Sequence, residues 1–131
     1  MEFDTVIGRN LLVEINHVAH EPFVVITMED LWPIYKNNFD PSTKVIFVES
    51  TEKKWLDDLI TKLGNFCSII GLGGGQAIDT AKYISWKTNK PFFQFPTSLS
   101  VDAVFGHRSA VRIENVVRYV GWSVPECVFI D

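Results

Sequence analysis

The chain has 131 residues, 47% of them hydrophobic and 21% charged, with a formal net charge of -4. These values describe one globular domain with its own core, and exclude both a disordered chain and two domains of ordinary size. The twelve Lys and Arg are scattered rather than gathered into a stripe, which argues against nucleic acid as a partner. No apolar stretch approaches the ~20 residues of a membrane-spanning helix, and the N-terminus lacks a signal-peptide pattern, so a cytoplasmic protein is expected.

In chain order, Phe3 to Ile7 reads as a short strand ended by Gly8. Leu11, Leu12, Ile15, Val18 and Ala19 recur at helical spacing, and Pro22 stops that helix. Phe23–Thr27 is a continuous apolar, β-branched run, the signature of a strand covered on both faces. Leu31 to Phe39 reads as a helix with Asp30 as its cap and Pro33 in the first turn. Lys44 to Val48 is a third strand. The next helix is capped by Ser50 or Thr51, carries an inner stripe of Trp55, Leu56, Leu59, Ile60 and Leu63, and stops at Gly64. A strand over Ser68 to Leu72, a glycine turn, a helix from about Gln76 to Lys87 and a strand over Pro91 to Phe95 follow. Strand alternating with helix predicts an α/β, Rossmann-like, mostly parallel sheet with helices on both faces. Beyond Pro96 the pattern changes. Ser98 to Arg108 is loop-like, Ala110–Ile113 and Val117–Gly121 form a hairpin around Glu114-Asn115, and Val128–Ile130 is a last strand. Cys67 and Cys127, each beside a predicted strand, read as reduced core thiols.

The stretch that carries chemistry is Gly71 to Lys82. A strand that breaks into glycines and then opens a helix presents backbone amides and the positive end of a helix dipole to an anion, and phosphate is the natural one. A P-loop needs Gly-Lys-Ser/Thr, but Gly75 is followed by Gln76. The G-x-G-x-x-G/A fingerprint fits Gly71 and Gly73 and fails at Gln76. Two readings stand: a glycine run that lets backbone approach a pyrophosphate, and a turn with only a structural role. Asp79 and Lys82, three apart on one helix face, read either as a surface ion pair contributing about 0.2–0.5 kcal/mol or as a pair that positions ligand or neighbouring loops.

The string GGGQAIDTAK, followed by PFFQFPTSLSVDA, resembles the iron-containing alcohol dehydrogenase superfamily, with glycerol and glycerol-1-phosphate dehydrogenases nearest in pattern. The resemblance extends over essentially the whole chain as the family's N-terminal nucleotide-binding domain. It implies that Gly73, Gly74 and Gly75 meet the pyrophosphate of NAD, with NADP possible, and that Asp79 and Lys82 belong to the same cofactor-binding motif. It places Thr97 and Ser98 along the cofactor and Asp102 near the hydroxyls of a small polyol substrate; a loop carboxylate capping a turn is the plainer account of Asp102. Family members that use NAD often carry an Asp after the early strand, where this chain has Met28, Glu29 and Asp30; the two carboxylates favour NAD. Dehydroquinate synthases share the glycine turn and depart from this chain at Lys82-Tyr83 and at Gly106-His107-Arg108.

In the family an Asp and two His of a helical second domain hold iron or zinc, and no Gly-x-Gly-Asp segment of that kind occurs in these residues. His17 and His20 read as a solvated helix face, and His107 as a loop residue. The expectation is a nucleotide-binding domain of a polyol dehydrogenase that does not catalyse alone and whose uncovered face drives self-association or binding of a partner. The alternatives are a non-catalytic nucleotide module acting with another chain and a dehydroquinate-synthase-like fragment.

Overall fold

The structure is a computed structural model and describes residues 4–9, 11–19, 21–98 and 106–130. The strands are β1 (Asp4–Ile7), β2 (Phe23–Thr27), β3 (Lys44–Phe47), β4 (Ser68–Gly73), β5 (Phe92–Pro96), β6 (Ser109–Ile113), β7 (Val116–Val120) and β8 (Cys127–Ile130). The helices are α1 (Leu12–Val18), α2 (Trp32–Tyr35), α3 (Lys53–Lys62) and α4 (Gly75–Thr88). Six strands form one sheet in the order β1-β8-β5-β4-β2-β3, every pair parallel. β6 and β7 form a separate antiparallel pair.

Side chains alternate across β2: Val25 joins a core cluster with Leu12 and Ile15 of α1, while Val24 and Ile26 join one with Ala81 and Ile84 of α4. One face of the sheet therefore packs against α1 and the α2 region, the other against α3 and α4. β2, β4 and β5 are buried at every residue, which is why they read as largely apolar runs, with Ser68 and Gln94 the buried polar exceptions in β4 and β5. Gly71 sits where α4 crosses: a Cβ added there would lie 2.9 Å from the Cβ of Ala81. Its missing side chain sets how close the helix comes. Gly71→Ala is expected to cost about 1–3 kcal/mol by overpacking, read as a lower urea midpoint at unchanged slope.

Several local expectations are corrected. The helix expected over Leu31–Phe39 is four residues of α2 followed by a 3-10 turn at Lys36–Asn38. Asn38 Nδ2 donates to Tyr35 O at 3.1 Å, a side-chain bond of the kind that competes with helix propagation. Asp30 does not cap α2, whose N-cap is Leu31 with no side-chain bond. α3 is preceded by Glu52, again without a side-chain cap; the Ser50 hydroxyl accepts the Glu52 N–H at 3.0 Å instead. Cys127 is buried as expected, but Cys67 is exposed, because it precedes β4 and its N–H bonds Pro22 O. The hairpin turns at Glu114 (φ 53) and Asn115 (φ 66), two left-handed residues whose twist matches that of the strands. No helix among the described residues is long and apolar enough to cross a membrane.

Candidate functional site

β2 runs on to β3 at one side of the sheet, whereas β4 runs on to β5 at the other. The sheet therefore reverses its winding between β2 and β4, whose pairing ends at Ile26↔Gly71. In open α/β sheets the crevice beyond the carboxyl ends of such strands is where ligands bind. Here the walls of that crevice are the turn after β2, with Met28, Glu29 and Asp30, and the glycine turn after β4.

Gly73 adopts φ +147, a conformation side-chain residues rarely take, and a Cβ there would lie 3.1 Å from the Ala77 Cβ and 3.2 Å from Leu31 Cδ1. The turn is thus closed against α4 on one side and the β2 turn on the other. Gly74 is extended (φ -88, ψ -159), and its carbonyl takes the Ile78 N–H at 3.1 Å as α4 begins. A Cβ on Gly74 would meet nothing within 4 Å. It would project into open space beside the first turn of a helix of 14 residues. The amides of a first helical turn have no carbonyl four residues back to bond. This first turn carries no acidic side chain that would satisfy them or oppose an anion. The Thr97 N–H donates to Gly73 O at 3.0 Å, so the end of β5 lies alongside the turn and leaves Thr97 and Ser98 exposed there. Gly73, Gly74, Gly75, Thr97 and Ser98 are brought together; Asp102 lies outside the described residues.

Asp79 and Lys82 are placed differently from the expectation of a surface pair. Lys82 is fully buried, and its Nζ lies 4.0 Å from Asp79 Oδ1. Burial pushes the Asp79 carboxyl up to about 6, opposed by the Lys82 charge and by the Ala110 N–H of β6. Burial likewise pushes the Lys82 ammonium down, opposed by Asp79. Next to them Val111 of β6 packs with Leu56 of α3 and Tyr83 of α4, and the Tyr83 hydroxyl donates to Asp57. Burial, then the hydrogen bond to Asp57, then the Asp57 charge raise the Tyr83 phenol. The spacing of Asp79 and Lys82 and the hairpin were each readable in the sequence; the packing of β6 against α4 was not.

Among the described residues no group of three or more His, Cys, Asp or Glu is placed to hold an ion; His17 is exposed on α1 and His107 stacks on Trp122 with ring centroids 3.6 Å apart. A cavity of about 900 Å³ does exist, floored by Phe93 and Phe129 and edged by Asp4, Pro91 and Glu126. It opens at the amino ends of β1, β5 and β8, the wrong end of a parallel sheet for a nucleotide.

The sequence pattern described as iron-containing alcohol dehydrogenase matches residues 36–131. The chain belongs to that family. Among relatives, the glycerol-1-phosphate dehydrogenase (NAD(P)+) of Methanococcus aeolicus is 39% identical over 70 residues, 53% of this chain and 20% of that protein. The enzyme of the same name from Pyrococcus horikoshii is 27% identical over 146 residues, covering 100% of this chain and 42% of its own. The crystal structure of glycerol dehydrogenase from Schizosaccharomyces pombe superimposes with a TM-score of 0.77 at 25% identity, over 99% of this chain and 38% of that one. The chain thus spans about two fifths of the length of the family members it matches from end to end. The Rossmann-like fold expected from the alternation of elements is the fold of this iron-containing alcohol dehydrogenase domain.

Proposed function

We propose that these residues are the nucleotide-binding part of a metal-dependent polyol dehydrogenase that takes NAD(H) in the crevice between β2 and β4. The reaction would be hydride transfer between the nicotinamide and a secondary alcohol such as glycerol or glycerol 1-phosphate. The observation that carries the reading is the open space over Gly74 at the start of α4, set at the point where the sheet reverses. A pyrophosphate there would meet the amides of Gly74, Gly75 and Gln76, which a dinucleotide needs and a merely structural turn does not. Thr97 and Ser98 offer hydroxyls along the same cofactor, and Asp102 is the proposed contact for substrate hydroxyls. The metal, which would polarise the alcohol oxygen, needs donors other than the described residues.

Glu29 and Asp30 are exposed on the β2 turn at the adenosine side of the crevice. Two carboxylates repel a 2′-phosphate, so NAD is preferred over NADP. Glu29→Gln with Asp30→Asn is expected to narrow that preference by roughly threefold or more at low salt; titrations with both cofactors check it. The whole reading is tested by calorimetry of the chain with NAD, NADP and ADP. Binding of NAD and ADP at submillimolar concentration supports it, and no heat from any of the three at millimolar concentration sinks it. Turnover of glycerol or glycerol 1-phosphate by these residues with added metal would show that catalysis needs no further donors.

Exposed Ile7 on the edge strand β1, and exposed Tyr119 and Trp122 at the hairpin, support the further expectation that this surface is covered by a second copy or a partner.

A further inference from the structure

Two surfaces that the cofactor crevice does not use lie on opposite sides of the sheet. The first is the β6–β7 hairpin. Of the ten exposed large hydrophobic side chains among the described residues, five fall within residues 113–122: Ile113, Val116, Val117, Tyr119 and Trp122. So concentrated a set marks a contact surface rather than ordinary scatter. Arg112 and Arg118, both exposed, stand among them, and Trp, Tyr and Arg are the residues that interfaces favour. The hairpin is held firm: Arg112 N–H bonds Thr51 O at 2.8 Å, Val111 packs on Leu56 and Tyr83, and Ser123 Oγ donates to Ser85 Oγ at 2.9 Å. A surface already ordered loses little entropy on docking.

The second is the cavity of about 900 Å³ at the amino ends of β1, β5 and β8. Its floor is apolar, with Leu11, Phe93 and Phe129 of the core cluster on the α1 side. Its rim carries Asp4, Glu14 and Glu126, and no Lys, Arg or His is among its described lining residues. None of these three carboxylates, and neither hairpin arginine, is in an ion pair among the described residues. An apolar hollow edged by carboxylates is the complement of apolar side chains set beside arginines. The hairpin packs against α3 and α4 on the other face of the sheet, so it cannot enter the cavity of its own chain. We propose that the β6–β7 hairpin of one copy of this chain seats in the cavity of a second copy, with Arg112 and Arg118 facing the rim carboxylates. This rests on the expectation that the hairpin surface is covered, and it names what covers it. The contact is head to tail, so each copy offers a hairpin to one neighbour and a cavity to another until a ring closes.

Sedimentation velocity at low salt, with the chain at about 1 to 100 μM, tests this with two charge reversals. Arg112→Glu/Arg118→Glu makes the hairpin acidic, and Glu14→Lys/Glu126→Lys makes the cavity rim basic. All four positions are exposed, so both proteins should keep the wild-type urea midpoint. The wild type is expected to gain mass with concentration. Each reversed protein alone is expected to associate at least about tenfold more weakly. Their equimolar mixture is expected to return to within about threefold of the wild type, because opposite charges then face each other at every contact between unlike copies. Association that survives either reversal, or a mixture no tighter than its components, overturns the proposal and leaves the expectation of a covered surface standing. A wild type that stays monomeric throughout overturns both. Neither result bears on NAD binding in the crevice, which calorimetry reads separately.

Discussion

Gly74→Ala is expected to leave the domain as stable as the wild type while lowering its affinity for NAD at least about tenfold. Residue 74 already has a φ and ψ that alanine adopts, and the new methyl meets no protein atom. Restricting the unfolded chain could even add about 0.4–1 kcal/mol of stability. The methyl would instead occupy the space over the amides that open α4. Its neighbour behaves in the opposite way. At Gly73 a methyl faces both an unfavourable φ of +147 and contacts of 3.1 and 3.2 Å. Gly73→Ala is expected to lose at least about 2 kcal/mol by urea unfolding, whatever it does to binding. The two adjacent substitutions therefore separate a glycine required by the ligand from a glycine required by the fold. Equal losses of stability in both variants would mean that the turn is structural throughout.

The second large effect concerns the buried pair. Asp79→Ala leaves the Lys82 ammonium buried without its neighbouring carboxylate. The expected cost is about 3–5 kcal/mol at pH 7. Lys82→Met should cost less, because the Asp79 carboxyl is already pushed up to about 6 and can take a proton once its partner is gone. Removing both charges, as in Asp79→Asn/Lys82→Met, is expected to restore most of the loss, since apolar or neutral replacements of a buried pair are often neutral. The pH dependence has a definite sign. A carboxyl whose pKa is higher folded than unfolded adds stability at low pH that is lost as pH rises through its folded value. From the ordinary 3.8 to about 6, the wild type should lose stability relative to the Asn/Met variant, against the usual trend of acid destabilisation. Chemical denaturation of both proteins at pH 4, 5, 6 and 7 measures it, and a gap that does not change over this range contradicts the burial of Asp79.

What could be read from the sequence was set by how local its cause was. β2, β4 and β5 were legible because burial on both faces writes a largely apolar run. The glycine turn was legible because its backbone demands fall on consecutive residues. Order within the sheet was not: β8, the last strand, inserts between β1 and β5, a choice made by packing across the whole chain. The α2 region was misread because apolar spacing counts Trp32, Tyr35 and Phe39 as one stripe. Asn38 bonding back to Tyr35 and three consecutive residues in a tighter turn break the helix there. Asp79 and Lys82 left two readings open, because spacing alone does not tell a surface ion pair from a pair set inside the fold; the full burial of Lys82 removes the first. The end of β5 lies beside the glycine turn, where Thr97 N–H bonds Gly73 O.

The most direct measurement of the central claim is a map of backbone amide chemical shifts on titrating the 15N-labelled chain with NAD. A dinucleotide in the crevice between β2 and β4 should shift Gly74, Gly75, Gln76 and Thr97 most, with Glu29 and Asp30 following and the amides of β1 and β7 unmoved. Shifts concentrated instead at Asp4, Phe93 and Cys127, around the cavity at the amino ends of the strands, would contradict the account.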